Sequence, residues 1–314
     1  MKILANDGIS PLGQQLLEAA GHQVITDKVA QEQLASAVNE QGIDVVLVRS
    51  ATTVRQEVID ACPGIKIIGR GGVGMDNIDV DYARSKGIHV INTPASSSQS
   101  VAELVMGQFF SLSRFLHDSF KNMETGDFSS LKKNYAKGVE LRGKTLGIIG
   151  FGRIGQSLAS YALGIGMKVI AIDNSKKDVT LSLKIGNQDL QITITTETDL
   201  QQFLGEMDYI SIHVPKQKDG SAVIGANEFA RMKKGVFMSN AARGGVVNED
   251  ALLNALNEGI VAGMALDVFE NEPNTRKDLL NHPKIACTPH IGAATLEAQD
   301  RIGEELAQLI IGLA

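Results

Sequence analysis

Gly150-Phe151-Gly152-Arg153-Ile154-Gly155 stands directly after the apolar run Thr145–Ile149 and directly before a helix-forming stretch that opens at about Arg153. A G-x-G-x-x-G in that setting constrains the chain more than any other feature. It commits the segment to a strand–turn–helix unit, and so to a parallel sheet. Gly150 permits the tight turn, Gly152 lets a pyrophosphate approach the backbone, and Gly155 lets helix and strand pack closely. The helix start offers free N–H groups and a positive partial charge to phosphates. The next apolar run, Lys168–Ile172, ends at Asp173, about 20 residues on, where a ribose-binding acid belongs. A carboxylate there accepts the ribose hydroxyls and repels a 2′-phosphate, so the cofactor expected is NAD. Lys176 and Lys177 follow closely and leave some tolerance of NADP open.

The same grammar runs along the rest of the 314 residues, a length that suits two domains. Before the fingerprint, strands are expected at Lys2–Ala5, His22–Ile25, Val45–Val48, Ile65–Ile68 and His89–Asn92, with a helix near Leu12–Ala20. From Lys144 the alternation restarts, with further strands at Tyr209–His213, Gly235–Ser239, Gly263–Leu266 and Ile285–Thr288. Continuous apolar strands separated by helices indicate parallel sheets covered on both faces. The fold class expected is therefore α/β, with two doubly wound parallel-sheet domains. A single long helix is expected from Ser98 to Met123, with Ala102, Val105, Met106, Phe109, Phe110, Leu112 and Phe115 covering more than one face. A subunit interface would supply the additional cover. The last segment, Leu296–Leu313, reads as an amphipathic helix crossing back to the first domain. Between Asp178 and Glu197 two alternating β-branched runs flank Gly186-Asn187, which predicts an extra hairpin with Leu181, Leu183, Ile185, Leu190, Ile192 and Ile194 on one face.

Bulk composition narrows the function. A net charge of −6 argues against a polyanion-binding surface, so no nucleic-acid partner is expected. Cys62 and Cys287 have no ligand spacing around them and read as buried thiols, with no metal implied. No stretch approaches the ~20 apolar residues that span a bilayer, and the start of the chain lacks a signal-peptide core. The expected setting is cytoplasmic, with no membrane partner.

Three polar loops follow expected strands beyond the fingerprint: Asn240-Ala241-Ala242-Arg243-Gly244-Gly245, Asp267-Val268-Phe269-Glu270-Asn271-Glu272-Pro273, and Thr288-Pro289-His290-Ile291-Gly292. Ligands of open α/β sheets bind beyond the carboxyl ends of strands. Arg grips a carboxylate bidentately, His removes a hydroxyl proton, and a nearby Glu orients it and stabilises the imidazolium. Together the three fit hydride transfer from a hydroxy acid.

At this point the chain resembles the D-isomer-specific 2-hydroxyacid dehydrogenase family over essentially its whole length. The matching stretches are Gly69-Arg70-Gly71-Gly72-Val73-Gly74-Met75-Asp76-Asn77-Ile78-Asp79, Asn92-Thr93-Pro94, Gly143-Lys144-Thr145-Leu146-Gly147, the fingerprint, Ala242-Arg243-Gly244-Gly245, Asp267-Val268-Phe269-Glu270 and Pro289-His290-Ile291-Gly292-Ala293. Through Val48-Arg49-Ser50-Ala51-Thr52 and the Gly69–Gly74 stretch it looks most like the phosphoglycerate dehydrogenases. The resemblance implies a catalytic triad of Arg243, Glu272 and His290. It implies cofactor contacts at Arg153, Ile154, Val214, Ala241, Ala242, Asp267 and Gly292, besides the fingerprint glycines and Asp173. Substrate contacts are implied at Arg49, Ser50, Arg70, Gly72, Val73 and Gly74. It further implies a Rossmann NAD domain of residues 97–288 inserted into a flavodoxin-like substrate domain of residues 1–96 and 289–314, with the helix from Ser98 as the element of a homodimer or higher homo-oligomer. The activity expected is NAD-dependent oxidation of 3-phospho-D-glycerate to 3-phosphohydroxypyruvate, the first step of serine biosynthesis. Oxidation of lactate or glycerate, reduction of hydroxypyruvate or glyoxylate, and a non-catalytic NAD-sensing role of the corepressor type stay open. Two departures are expected: the C-terminal regulatory domain of some phosphoglycerate dehydrogenases is not expected after the crossover helix, and the extra hairpin is an addition.

Overall fold

Runs of four apolar residues without polar alternation suit strands covered on both faces. Val45–Val48 is such a run, and in the computed structural model it lies at the centre of a parallel sheet of β1 (Lys2–Ala5), β2 (Gln23–Ile25), β3 (Val45–Val48), β4 (Ile67–Arg70) and β5 (His89–Asn92), in the order β2-β1-β3-β4-β5. The structure describes the backbone of residues 1–314 and every side chain except that of Ile185. It divides into two units, Met1–Ser100 with Ala293–Ala314 and, separately, Val101–Gly292. The sequence placed these borders at 96/97 and 288/289.

In the first unit α1 (Pro11–Ala19) opens with Pro11 at its first turn, and the Ser10 hydroxyl accepts from the Gly13 N–H. With the C-terminal helix Leu296–Leu313 it covers one face of the sheet, where Leu17, Ile302, Leu306 and Ile310 pack on Ile3, Val45, Leu47 and Ile67. The helices α2 (Leu34–Gln41), α3 (Gln56–Ala61) and α4 (Val80–Ser85) cover the other, where Leu34, Val38, Ile59 and Ala83 meet Val46, Val48 and Ile68. Two helices meet at Gly13 and Gly303, where a Cβ on Gly13 would lie 2.6 Å from the Gly303 Cα. The fourth strand begins two residues later than the sequence suggests. Ile65 instead buries its side chain from the preceding turn, its N–H bonded to the Cys62 carbonyl. Arg70 is consequently the last residue of β4 rather than the first of the loop.

The second unit is built on β6 (Thr145–Ile149), β7 (Lys168–Ile172), β10 (Tyr209–Ile212), β11 (Val236–Asn240), β12 (Val261–Leu266) and β13 (Ile285–Cys287), all parallel, in the order β13-β12-β11-β10-β6-β7. Chain order reverses between β6 and β10, the switch point at which such sheets bind ligands. The expected long helix is two: α5 (Ser98–Ser113) and α6 (Leu116–Asn122), followed by α7 (Phe128–Tyr135). The break falls at Phe115, whose φ of 56° is left-handed. No glycine or proline forces it. Phe115 instead stacks on Tyr135 with centroids 5.7 Å apart, and the Val139 N–H takes the Ser113 carbonyl that a continuous helix would use. Within α5, Ala102, Val105, Met106, Phe109 and Leu112 are buried, and the exposed residues Gln99, Glu103, Gly107 and Phe110 form one narrow stripe. The fold therefore supplies most of the cover that the sequence assigned to a partner.

The hairpin is present as β8 (Asp178–Ile185) and β9 (Gln188–Thr195), with Leu181 opposite Ile192 and Leu183 opposite Leu190. Leu181 joins the core cluster of the helix α8 (Arg153–Gly164), and Val179 and Ile194 pack beside it. Leu181 and Leu183 are buried, contributing roughly 1.5–3 kcal/mol each, whereas Leu190 is 42% exposed. The first arm thus lies closer to the body of the unit than the second does at these positions. The Ile185 side chain, expected on the same face, lies outside the described residues.

Candidate active site

The fingerprint turn is shaped by its neighbours. Gly150 has φ +93°, and a Cβ there would lie 2.5 Å from the His213 carbonyl oxygen. A Cβ on Gly155 would lie 2.4 Å from the Gly150 carbonyl oxygen. Around Gly152 nothing comes within 4 Å of a Cβ position, leaving open the space a pyrophosphate requires. Gly152 is also the N-cap of α8 and offers no side-chain cap, so no side chain competes for the N–H groups of the first turn. Arg153 is exposed at the first helical position, Ile154 is half-buried, and Val214 packs against Gly150. Asp173 follows β7. Its carboxylate accepts from the Asn174 N–H at 2.7 Å, and Lys177 Nζ stands 3.5 Å away. Lys176 is paired with Glu197 at 2.8 Å, so both lysines near the ribose position are engaged by carboxylates. These residues fit a dinucleotide.

His213 closes β10 beside this turn. Its Nε2 lies 2.8 Å from the Ser211 hydroxyl, while Nδ1 is buried without a partner. Burial pushes its pKa down to about 4, so it is neutral at pH 7. The folded state then binds fewer protons than the unfolded chain between pH 6.5 and 4. This contribution to stability is fully present above 6.5 and is lost as pH falls through that window. Between pH 7 and 5 the melting temperature of His213→Gln should fall less than that of the parent, by roughly 4 °C. Equal falls in a calorimetric scan would contradict this assignment.

Beyond β11, β12 and β13 the three polar loops are tied together. The Glu272 carboxylate accepts the Phe269 N–H at 2.9 Å, and its other oxygen lies 2.7 Å from His290 Nδ1. That contact commits Nδ1 to Glu272 and leaves Nε2 for chemistry. His290 has φ +53°, a left-handed backbone that costs a non-glycine residue about 1–2 kcal/mol. Asp267 holds it there. Only 1% exposed, it accepts the Thr288 hydroxyl at 2.6 Å and the Ile291 and Gly292 N–H groups at 2.9 Å each. The Arg243 turn is seated directly on the Glu272 loop, because Gly244 leaves no room for a side chain: a Cβ would lie 1.7 Å from the Phe269 carbonyl oxygen. Asn240 shapes this turn. Its amide donates to the Arg243 carbonyl at 3.0 Å, and its side-chain oxygen accepts the Ala242 N–H at 3.1 Å, with Ala241 and Ala242 half-buried between. The sequence signal was available, since Asn at a strand end favours such local turns. Cys287 is half-buried rather than buried. It lines a cavity of about 400 Å³ beside Glu272 and His290, where burial pushes the thiol up to about 11 and keeps it protonated.

In the first unit a cavity of about 310 Å³ lies at the carboxyl ends of β1, β2 and β3, lined by Asn6, Asp7, Lys28, Arg49 and Ser50 among others. Burial opposes the charge on Asp7, but the Arg49 and Thr52 N–H groups, the Thr52 hydroxyl and Lys28 hold its pKa below the usual range. Burial also pushes the Arg49 guanidinium below its usual value, against the pull of Asp7. Arg70 ends β4 next to Val48 on β3, with its guanidinium laid against Gly72, where φ is +142°. Val73 is 38% exposed and Gly74 half-buried.

Residues 106–292 match the NAD-binding domain of the D-isomer-specific 2-hydroxyacid dehydrogenases. The chain belongs to that family. It is 40% identical over 313 residues to a hydroxypyruvate reductase from Thermotoga maritima, covering 98% of this chain and 97% of that one. With the D-3-phosphoglycerate dehydrogenase of Homo sapiens it shares 39% identity over 307 residues, 98% of this chain but 55% of the human protein. The chain thus spans about half the length of that relative. A D-lactate dehydrogenase from Aquifex aeolicus, solved with NAD and lactic acid, is 29% identical and superposes with a TM-score of 0.77 over all of this chain and 95% of that one. As a member of this family the chain is an NAD-dependent 2-hydroxyacid dehydrogenase. Among the described residues no helix is long and apolar enough to cross a membrane.

Proposed function

We propose that this dehydrogenase oxidises 3-phospho-D-glycerate to 3-phosphohydroxypyruvate in the cytoplasm, as the first step of serine biosynthesis. Arg243 holds the substrate carboxylate. Neutral His290 takes the C2 hydroxyl proton on Nε2, and Glu272 stabilises the imidazolium through Nδ1. NAD, when bound, supplies the acceptor for the hydride that leaves C2 as the carbonyl forms. Asp173 selects NAD by engaging the ribose, and Arg49, Arg70 and the Gly72–Gly74 turn receive the phosphate.

The observation that carries the phosphate assignment is Arg49. It is a half-buried cation in a small cavity, and among the described residues no carboxylate comes within ion-pairing distance of its guanidinium. A dianionic phosphate would compensate it. A charge-assisted contact is worth about 1.5–3 kcal/mol, so Arg49→Gln should lower kcat/KM for phosphohydroxypyruvate roughly ten- to a hundredfold. Unphosphorylated hydroxypyruvate should suffer far less. The measurement is NADH oxidation with both substrates, in parent and variant. Equal losses would favour the second reading, hydroxypyruvate reduction, which the similarity to the Thermotoga protein along nearly its full length supports.

The same chain is proposed to assemble as at least a homodimer through α5–α7. Phe110, Phe120, Met123 and Phe128 are 42%, 84%, 50% and 66% exposed there, more apolar surface than a solvated arm carries for free. Sedimentation of the parent should give a dimer or larger species, and Phe120→Glu/Phe128→Glu should shift it toward monomer. A monomeric parent at micromolar concentration would end this reading.

A further inference from the structure

The bonds that hold the His290 loop continue past Asp267 into α5. Gln108 faces inward from that helix among Val105, Phe109 and Leu112 and is only 6% exposed. A leucine would fill such a site without the cost of burying an amide, so its polar atoms need partners. They have them. The Ser239 hydroxyl donates to Gln108 Oε1 at 2.8 Å, Gln108 Nε2 reaches Thr288 Oγ1 at 3.4 Å, and the Thr288 hydroxyl donates to Asp267 Oδ1 at 2.6 Å.

We propose that Gln108 is a positioning residue for the catalytic loop, acting through Thr288 and Asp267. The proposal rests on the assignment of His290 as the proton acceptor. A threonine hydroxyl has one proton to give. With the Gln108 amide N–H directed at its oxygen, that proton goes to Asp267, completing the set of donors that carboxylate needs. Asp267 in turn fixes the Ile291 and Gly292 N–H groups on the far side of His290. The relay thus runs from β11 and α5 into the loop after β13 and over-determines a left-handed backbone conformation that costs a non-glycine residue energy.

The test uses the whole enzyme and four variants. Gln108→Met keeps the volume and removes both bonds. Thr288→Val keeps the shape and removes the hydroxyl. The double variant combines them. Gln108→Glu offers acceptors only, turning the Thr288 proton away from Asp267. Gln108→Met should lower kcat roughly tenfold while KM for the hydroxy acid stays within about twofold, because the loss is one of alignment rather than of binding. Amide exchange at Ile291 and Gly292 should quicken by about tenfold. The double variant should be no worse than Thr288→Val alone, since both act through one path. Gln108→Glu should be slower than Gln108→Met.

Additive losses in the double variant, unchanged exchange at 291 and 292, or a Gln108→Met kcat within twofold of the parent would each overturn the proposal. The exchange reading stands apart from the chemistry. Should His290 prove not to be the proton acceptor, its own variants would retain turnover, whereas the response of the 291–292 amides to Gln108→Met would still report on the relay. Thr288→Val gives the same two readings if the Gln108 variants do not fold.

Discussion

Replacing His290 by Asn is expected to cut turnover by roughly 10²–10⁴-fold while NADH affinity stays within about threefold of the parent. Asparagine is the informative substitution. At φ +53° an alanine would add backbone strain to the loss of the base, whereas Asn tolerates the left-handed region. Its amide can still reach Glu272, which otherwise loses the partner it holds at 2.7 Å. It has no lone-pair nitrogen to take a proton. The melting temperature should therefore remain within a few degrees, separating lost chemistry from lost folding. Turnover within threefold of the parent would remove His290 from the mechanism. Glu272→Gln should fall between the two, since an amide can orient the ring but carries no charge to balance an imidazolium.

The second large effect is expected at a residue that touches no reacting atom. Gly244→Ala puts a methyl 1.7 Å from the Phe269 carbonyl oxygen and 2.7 Å from the Glu270 nitrogen. Both are backbone atoms and cannot swing aside. The Glu270 loop is itself anchored, because its N–H donates to Glu249 at 2.9 Å and its carboxylate accepts the Glu249 N–H at 3.3 Å. The turn carrying Arg243 and the loop carrying Glu272 must then separate. Overpacking costs about 1–3 kcal/mol, and at the upper end a unit of this size would melt roughly 6–12 °C lower. Catalytic efficiency should fall by more than about tenfold, since two of the three proposed triad side chains move. A Gly244→Ala enzyme with parental kcat/KM and melting temperature would show that these loops are not locked together as described.

What the sequence disclosed was what local chemistry determines. The apolar runs and the Gly150–Gly155 turn specify strand, turn and helix within a few residues of one another, and the two sheets follow from them. The loops of Arg243, Glu272 and His290 were visible as polar interruptions after strands. Positions settled by distant packing were not legible. Phe115 breaks a helix whose composition gives no reason to stop, because Tyr135 and Val139 reward the break from outside it. In the hairpin, alternation identifies the apolar face but not which arm the body of the protein covers; Leu183 is buried and its partner Leu190 is not. Nothing local to the sequence singles out Gln108, because its partners Ser239 and Thr288 lie 131 and 180 residues away.

The pairing of Gly13 with Gly303 bears on how the chain is made. Residues 1–100 leave the ribosome first, yet the face of their sheet formed by Ile3, Val45, Leu47 and Ile67 has no complete cover until Ile302, Leu306 and Ile310 follow. The second unit is continuous, and its whole sheet lies between Val101 and Gly292. Domains generally fold as units during synthesis, in the order they emerge. Here that order is inverted: residues 101–292 complete their core first, and residues 1–100, made before them, wait for residues 293–314, made after. Released chains that end at Gly292 should accordingly bind NADH while their first hundred residues remain open to protease.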